Sequence, residues 1–313
     1  MTWLQSSPRS TPLERVSVPF GRTSSNSMGG GLSTARTRNT ARIALANMTD
    51  CMHPKSGFTV VRPLVRALAL LAVFEPHERW LSNGQLAQRT GLPPSTVTRI
   101  AQTLTQLGYL LHDAEERKYR LSAAVLGLGY AAIAHSAIQG LAGEHMAAFA
   151  AEHKVHVCLA TRDRLELAVL ECRRSLESPL ALPLYVGMRV GIAFSPMGWS
   201  LLAALPELER AYLLKNVEQR MSKDWSRTRR RVSEGIAQVG EKGYCTAIGE
   251  WEPDLGIVAT PVLLEGASPF VLACIGASQV MTRARVERAL GPRLVAMGRA
   301  LQNEFTAISH VDD

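Results

Sequence analysis

The sequence LSNGQLAQRTGLPPSTVTRIAQTLTQLGYLL, at residues 81–111, decides how the N-terminal part of this chain folds. Ser82 lies three residues before Gln85, which is the spacing of a capping box, so a helix is expected to begin here. Gly91 tolerates a positive φ and can end that helix. The two prolines that follow block its continuation and suit the first turn of another helix. The segment therefore predicts two helices joined by a tight turn.

The second of these helices is predicted to have one apolar and one polar face. Apolar residues recur at helical spacing and form a stripe that should pack on a core: Val97, Ile100, Ala101, Leu104 and Leu107. The opposite face offers groups that suit phosphates and base edges, namely Ser95, Thr96, Thr98, Arg99, Gln102 and Thr103. Such a helix after a turn is typical of a helix-turn-helix that enters the DNA major groove. Taken alone, the segment also fits an ordinary helical hairpin with a solvated polar face, because lookalikes are common.

The flanking sequence extends this pair into a larger motif. Two strand-like runs at 109–112 and 118–121 enclose a polar loop of hairpin length, which predicts a β-wing. Three basic residues of the wing are placed to touch the DNA backbone or minor groove: Arg117, Lys118 and Arg120. Upstream, an amphipathic helix starting at Pro63 carries Leu64, Ala67, Leu68, Leu71 and Ala72. Three helices followed by a hairpin make a winged helix-turn-helix.

Residues 61–128 resemble the DNA-binding domain of the IclR family of bacterial transcription regulators. The resemblance is carried by Arg66-Ala67-Leu68, Thr90-Gly91-Leu92-Pro93, Ser95-Thr96-Val97, Gly108-Tyr109 and Tyr119-Arg120-Leu121, and it continues more weakly to about residue 304. It implies a ligand-responsive regulator that is not an enzyme. The implied partners are a double-stranded DNA operator, a small-molecule effector, and further copies of the chain in a homodimer or a dimer of dimers.

We expect an α+β chain of four segments. Residues 1–58 should be a disordered basic tail, 59–121 the winged helix-turn-helix, 122–139 a linker helix, and 140–308 an effector-binding domain. In family terms this last domain is GAF-like, α/β, with an antiparallel sheet. The linker helix includes Gly127 and Gly129 in a pattern that superficially matches a dinucleotide-binding turn, but no buried strand precedes it, so we reject that interpretation. By resemblance, the linker helix and the helix from Pro63 carry dimer contacts.

The net charge of +8 is concentrated near the N-terminus, where the first 62 residues hold eight basic and two acidic residues. The DNA-binding hypothesis therefore depends on the helix-turn-helix and not on overall charge. Three interpretations of the tail compete: a basic arm that adds non-specific DNA affinity, a targeting sequence, or a segment outside the native protein. We favour the third, with Met48 or Met52 as the true start. A targeting role is disfavoured because the resembling family is bacterial.

Other features of the composition indicate a cytoplasmic protein that binds neither metal nor membrane. Five cysteines without a Cys-x-x-Cys pair indicate buried thiols in a reducing compartment, and no apolar run is long enough to span a bilayer. His145, His153 and His156 cluster in sequence, but no carboxylate or cysteine completes a metal-ligand set, so they should lie at the surface or its boundary. No recognisable catalytic or cofactor motif occurs, and we predict no cofactor. An enzyme with scattered catalytic residues, or an interaction module without a ligand, remain the alternatives.

Eight residues of the second domain form the predicted effector site. The resemblance implies contacts at Pro196, Met197, Glu250, Ile257, Cys274 and Gly276, and the start of a predicted helix at 196–204 adds Ser195 and Gly198. Hydroxyl and N–H groups at a helix N-terminus suit a carboxylate, and Met197 and Ile257 would supply apolar walls. The expected effector is a small organic acid, with aromatic acids included. Trp199 is a further candidate for an apolar wall. The alternative is that Met197 and Ile257 are ordinary core residues and that Trp199 lies at the surface or at an interface.

The chain departs from the family pattern at this site. Family members usually have a Gly-Lys-Ala step where this chain has Gly198-Trp199-Ser200, and the usual glycine after Glu250 is missing, with Trp251 in its place. Because of these differences, the family resemblance predicts the position of the pocket better than it predicts the chemistry of the pocket. Nearby, a basic run on a predicted helix comprises Arg227, Arg229, Arg230 and Arg231. A solvated face is its expected role, and a second DNA or partner contact is the alternative.

Overall fold

The computed structural model describes residues 61–76, 78–134, 137–180, 182, 184–221, 225–250, 252–264 and 268–309. The predicted tail, both candidate start methionines, Cys51 and Trp251 lie outside the described residues. The chain divides into two compact units. The first holds the described residues up to Phe74 with Trp80–Leu104 and His112–Tyr119, and the second holds Glu75–Arg79, Thr105–Leu111 and the described residues from Arg120 onward. None of the described helices is long and apolar enough to cross a membrane.

The N-terminal elements form a winged helix-turn-helix, as predicted. In chain order they are α1 (Arg62–Leu71), β1 (Leu81–Ser82), α2 (Asn83–Thr90), α3 (Pro94–Gln106), β2 (Leu110–Asp113) and β3 (Lys118–Leu121). The three strands form a sheet of order β1-β3-β2. Strand β1 pairs antiparallel with β3, with Leu81 opposite Tyr119, and both side chains are buried. The short first strand therefore ties the wing to the start of α2.

The turn between α2 and α3 has the local chemistry that the sequence predicts. The Gln85 N–H donates to Ser82 Oγ at 3.3 Å and the Ser82 N–H donates to Gln85 Oε1 at 2.8 Å, which completes the capping box. Gly91 ends α2 at φ 70°, in the left-handed region that favours glycine. Thr90 is buried and its hydroxyl donates to the Leu86 carbonyl at 2.7 Å, while the Asn83 amide reaches the Pro94 carbonyl at 3.2 Å. These bonds fix the angle at which α3 leaves the turn.

Two details of the predicted apolar stripes are wrong. On α1 the buried residues are Ala69 and Leu70, whereas Leu64 and Leu68 are 58% and 46% exposed. Apolar residues lie on more than one side of this helix, so periodicity alone could not choose the buried face. On α3 the stripe ends before Leu107, which follows the last helical residue and is 64% exposed.

The second unit is built around one antiparallel sheet. Its elements are α4 (Ala124–Ala134), α5 (Ala137–His153), β4 (His156–Asp163), β5 (Glu166–Arg173), β6 (Arg189–Gly191), α6 (Pro196–Ala204), α7 (Glu207–Arg220), α8 (Trp225–Lys242), β7 (Cys245–Ile248), β8 (Leu255–Val262), β9 (Phe270–Ala277), α9 (Arg283–Arg285) and α10 (Gly291–Ser309). A π-helical turn at Val286–Leu290 joins α9 to α10. The strand order is β6-β5-β4-β9-β8-β7. The predicted α+β class with an antiparallel sheet is confirmed.

Each face of this sheet buries its own apolar layer. Helices α6, α7 and α8 pack on one face with side chains such as Leu201, Leu213 and Val232. Helices α5 and α10 pack on the other, with side chains such as Met146 and Leu294. Because side chains alternate along a strand, successive residues of β4, β8 and β9 belong to opposite layers. The alternation decides which strand residues reach the predicted effector site. We call the two layers the α6 layer and the α5 layer.

Candidate DNA-binding surface and effector cavity

The polar face of α3 is uncovered within the described residues. Ser95, Arg99, Gln102 and Thr103 are exposed, and Thr96 and Thr98 are half-buried. No acidic residue lies in α3, and the Arg99 guanidinium has no hydrogen-bond or ion-pair partner among the residues described. The structure therefore brings all six predicted α3 residues to one helix and leaves its arginine available.

Two of the hydroxyls on this face are engaged by the helix itself. Thr98 Oγ1 donates to the Pro94 carbonyl at 3.0 Å and Thr103 Oγ1 donates to the Arg99 carbonyl at 2.9 Å. In this state the oxygens keep lone pairs that accept a hydrogen bond but have no free proton to give. Negatively charged phosphate oxygens need donors, so Ser95, Gln102 and Arg99 are the α3 residues best suited to hydrogen-bond a phosphate.

The wing carries less positive charge than the sequence suggested. Arg117 is exposed and adopts φ 52° in the hairpin turn, and Arg120 is exposed on β3. Lys118 pairs with Glu116 at 2.5 Å, and Asp113 Oδ1 accepts from the N–H groups of Glu115 and Glu116. The acidic neighbours offset the basic ones, so the wing is suited to touch a duplex at a few points and not to supply most of the affinity.

A small apolar cavity lies in the α6 layer, between the sheet and the N-terminal turn of α6. Its volume is about 20 Å³, which is room for about one water molecule. All the described side chains that line it are apolar: Val169, Leu182, Leu184, Met188, Val190, Met197, Leu255, Ile257 and Ile275. Three of these, Leu182, Leu184 and Met188, come from the irregular segment between β5 and β6.

The structure brings only part of the predicted effector site to this cavity. Met197 and Ile257 line it, whereas Glu250 is exposed outside it. Cys274 and Gly276 lie in the α5 layer, because alternation along β9 turns Ile275 and not its neighbours toward the cavity. The alternation of side chains along β9 could have identified Ile275 as a residue on the same face of the sheet as the cavity. The irregular segment that supplies Leu182, Leu184 and Met188 has no periodicity from which it could have been found.

Ser195, Pro196 and Gly198 form the tightly packed start of α6. Ser195 is fully buried, and its Oγ accepts a long hydrogen bond of 3.4 Å from the Gly198 N–H. A Cβ on Gly198 would lie 1.8 Å from the carbonyl oxygen of Ile192, so the backbone of the preceding loop touches the helix directly. This close approach leaves no open space for a ligand group at Gly198 itself.

The unusual Trp199 is a core residue. Its indole Nε1 donates to the Ala193 carbonyl at 2.9 Å and the side chain is buried. The ring packs on Gly235 of α8, where an added Cβ would lie 2.6 Å from it. A large residue on α6 thus meets a glycine on α8, which allows the two helices to pack around the indole. The alternative of a surface or interface role for Trp199 is wrong.

Titratable groups in this unit are buried to different degrees. His153 and His156 were predicted at the surface or its boundary but are buried, and desolvation lowers the pKa of His153. Burial raises the pKa of the Cys274 thiol to about 12 and raises that of Cys158 further, so these thiols stay protonated. No group of three or more His, Cys, Asp or Glu side chains in the described part of the chain is arranged to hold a metal ion.

The arginine run on α8 is mostly solvated. Arg227 and Arg229 are exposed, Arg230 lies 3.5 Å from Glu234, and Arg231 Nη1 donates to the Glu250 carbonyl at 2.9 Å. Glu250 thus acts here through its backbone, as an anchor for α8.

Comparison with known proteins gives one consistent result. The sequence profile of the IclR helix-turn-helix domain matches residues 63–114. The chain is 30% identical to the HTH-type transcriptional regulator TsaQ1/TsaQ2 of Comamonas testosteroni, over 81% of this chain and 91% of that one. The crystal structure of an IclR family transcriptional regulator from Brucella abortus superposes with a TM-score of 0.68 at 33% identity, covering 80% and 94% of the two chains. An IclR homologue from Microbacterium hydrocarbonoxydans, complexed with 4-hydroxybenzoate, superposes with a TM-score of 0.59 at 22% identity, covering 77% and 99%.

Proposed function

Because this chain belongs to the IclR family of transcriptional regulators, we propose that its DNA binding responds to a small organic acid, with aromatic acids as the first candidates. The observation that supports recognition of a DNA sequence is the uncovered face of α3. It presents the unpaired guanidinium of Arg99 and several hydrogen-bonding groups on a helix. The residues proposed to contact the operator are Ser95, Thr96, Thr98, Arg99, Gln102 and Thr103, with Arg117, Lys118 and Arg120 on the wing.

The observation that supports ligand sensing is the apolar cavity in the α6 layer. Its walls suit the hydrophobic part of a ligand, but its volume of about 20 Å³ is too small for an aromatic ring. Met188 and Met197 are flexible enough to repack, and the irregular segment from which Leu184 comes can move without breaking a strand. A ligand therefore binds by opening this cavity. The homologue that binds 4-hydroxybenzoate makes that compound the first one to test.

Ligand entry gives a direct test in the purified protein. A ligand at about 100 times its Kd stabilises a protein by about 2.7 kcal/mol, which raises the melting temperature of a domain of this size by about 5–10 °C. We expect a saturable rise of this kind with 4-hydroxybenzoate or benzoate. Met188→Trp fills the cavity from one of its lining positions and should abolish the rise, while Val186→Trp, on the same segment but outside the cavity, should keep it. Failure of all small organic acids to stabilise the wild type would contradict the proposed function.

Self-association is the second part of the proposal. One recognition helix reads a short half-site, so a symmetric pair of chains is needed for tight operator binding. Helix α4 is apolar yet exposed along most of its length, and Leu126 and Tyr130 are 73% and 72% exposed. Helix α1 likewise exposes Leu64 and Leu68. These surfaces are the proposed contacts of a homodimer, which a further pairing would turn into a dimer of dimers.

A double substitution on α4 tests this contact. Leu126→Glu with Tyr130→Glu places charges on one side of the helix, at positions four residues apart, and should convert the dimer to monomers because charges are excluded from an apolar interface. Sedimentation velocity measures the change, with circular dichroism to verify folding. Leu208→Glu, at an exposed leucine of α7, is the control and should leave the dimer intact. Unchanged sedimentation of the double variant would show that α4 is not an interface.

A further inference from the structure

A buried histidine adjoins the effector cavity in the sheet. His156 begins β4 and is 3% exposed. It lies directly opposite Ile275 of β9, and Ile275 lies directly opposite Ile257 of β8. Side chains that face one another across antiparallel strands project to the same face and are about 4.5–5.5 Å apart at Cβ. His156, Ile275 and Ile257 therefore form one row across the α6 layer, and the last two line the cavity.

One nitrogen of this histidine is used and the other is not. His156 Nε2 lies 2.8 Å from the carbonyl oxygen of Leu180, two residues before the cavity-lining Leu182. A carbonyl only accepts, so Nε2 carries the proton, and in the neutral ring Nδ1 presents a bare lone pair. Nδ1 is buried and has no hydrogen-bond partner among the residues described. An unmet acceptor in an apolar layer is costly and calls for an explanation.

We propose that His156 Nδ1 is the polar anchor of the effector, which rests on the sensor function proposed above. The ligand is then a largely apolar molecule, of ring size, that carries an O–H group able to hydrogen-bond Nδ1. A hydroxyl meets this requirement by donating to the lone pair. A carboxyl group meets it as well when the ligand binds as the neutral acid, because its own O–H then donates to Nδ1. The described side chains that line the cavity are all apolar, so His156, the next residue in the row beside Ile275, is the side chain that would determine which polar group is accepted.

Matched pairs of probes separate this anchor from hydrophobic filling. Phenol and fluorobenzene have nearly the same shape, as do benzoic acid and nitrobenzene, but only the first of each pair can place an O–H at Nδ1. The two arms distinguish a hydroxyl from a carboxyl ligand. Binding is measured by thermal shift and calorimetry for the wild type, His156→Gln and His145→Gln. The glutamine amide introduced by the first substitution can still donate to the Leu180 carbonyl but has no atom at the Nδ1 position; His145 pairs with Glu304 at 3.0 Å in another part of the unit.

The wild type and His145→Gln should bind the O–H probe of at least one pair about tenfold more tightly than its partner, since one hydrogen bond in a buried site carries about that difference. His156→Gln should lose the preference while still binding both. A retained preference in His156→Gln, or none in the wild type, overturns the anchor and leaves the sensor function standing. Absence of saturable binding by any probe overturns both. A crystal structure of the wild type with the preferred probe tests the anchor without relying on a variant that must fold. We expect the oxygen of the probe within hydrogen-bond distance of Nδ1, and any other position would show that the anchor is wrong.

Discussion

Gly198→Ala is expected to unfold the second unit at a much lower temperature than the wild type. The added Cβ would lie 1.8, 2.4 and 2.7 Å from the carbonyl oxygen, carbonyl carbon and Cα of Ile192. All three are backbone atoms, so no side-chain rotation can relieve the overlap, and the first turn of α6 must move away from the loop. Overpacking of this kind costs about 3 kcal/mol or more, which lowers the melting temperature by about 6–12 °C.

The same substitution at another glycine should act in the opposite direction. Gly240 lies within α8, is exposed, and has nothing within 4 Å of an added Cβ. Gly240→Ala should therefore stabilise the protein by about 0.5–1 kcal/mol, because alanine restricts the unfolded chain and favours a helix. Calorimetry of both variants measures the two shifts. Equal melting temperatures for Gly198→Ala and wild type would show that the loop at Ile192 does not hold the start of α6 in place.

The N-terminal elements could be predicted closely because their determinants are local. A capping box at Ser82, a left-handed glycine at position 91 and a proline pair each act within a few residues, and a wing follows from two short strand patterns. The buried face of α1 could not be chosen, since Leu64 and Leu70 look equally apolar in sequence. Their difference arises only when α1 meets the other helices, and it leaves Leu64 on the surface.

The candidate effector cavity could be placed only approximately from the sequence. Met197 and Ile257 were predicted at the site and line the cavity, but one residue of register on β9 separates Ile275, which also lines it, from Cys274 and Gly276, which do not. A shift of one residue in a strand reverses the face, and a resemblance of sequence does not fix it. The His156 ring was expected at the surface or its boundary, because nothing local in its sequence reveals that the carbonyl of Leu180, distant along the chain, accepts a hydrogen bond from it.

Arg99→Ala is expected to weaken binding to the preferred DNA sequence selectively. Arg99 is the one basic residue of α3, and its guanidinium is exposed on the same helix as the hydroxyls of Ser95 and Thr96. Arginine binds the O6 and N7 atoms of guanine through two parallel hydrogen bonds, which discriminate against a wrong base by about 1–3 kcal/mol. Loss of this contact should weaken binding to the preferred site by about 5- to 150-fold.

The preferred site is obtained by selection from random duplexes with the wild-type protein, and affinities are measured by mobility shift against that site and a scrambled one. Arg99→Lys keeps the charge but not the fork, and should lose nearly as much preference as Arg99→Ala. Arg299→Ala, at an exposed arginine of α10, is the control and should bind as the wild type does.

The salt dependence of binding distinguishes two roles of Arg99, a base contact and a phosphate contact. A base contact leaves the slope of log affinity against log salt almost unchanged, whereas a phosphate contact lowers it by about 0.9 and weakens both duplexes equally. The second outcome would show that α3 positions the protein on DNA without reading it through Arg99.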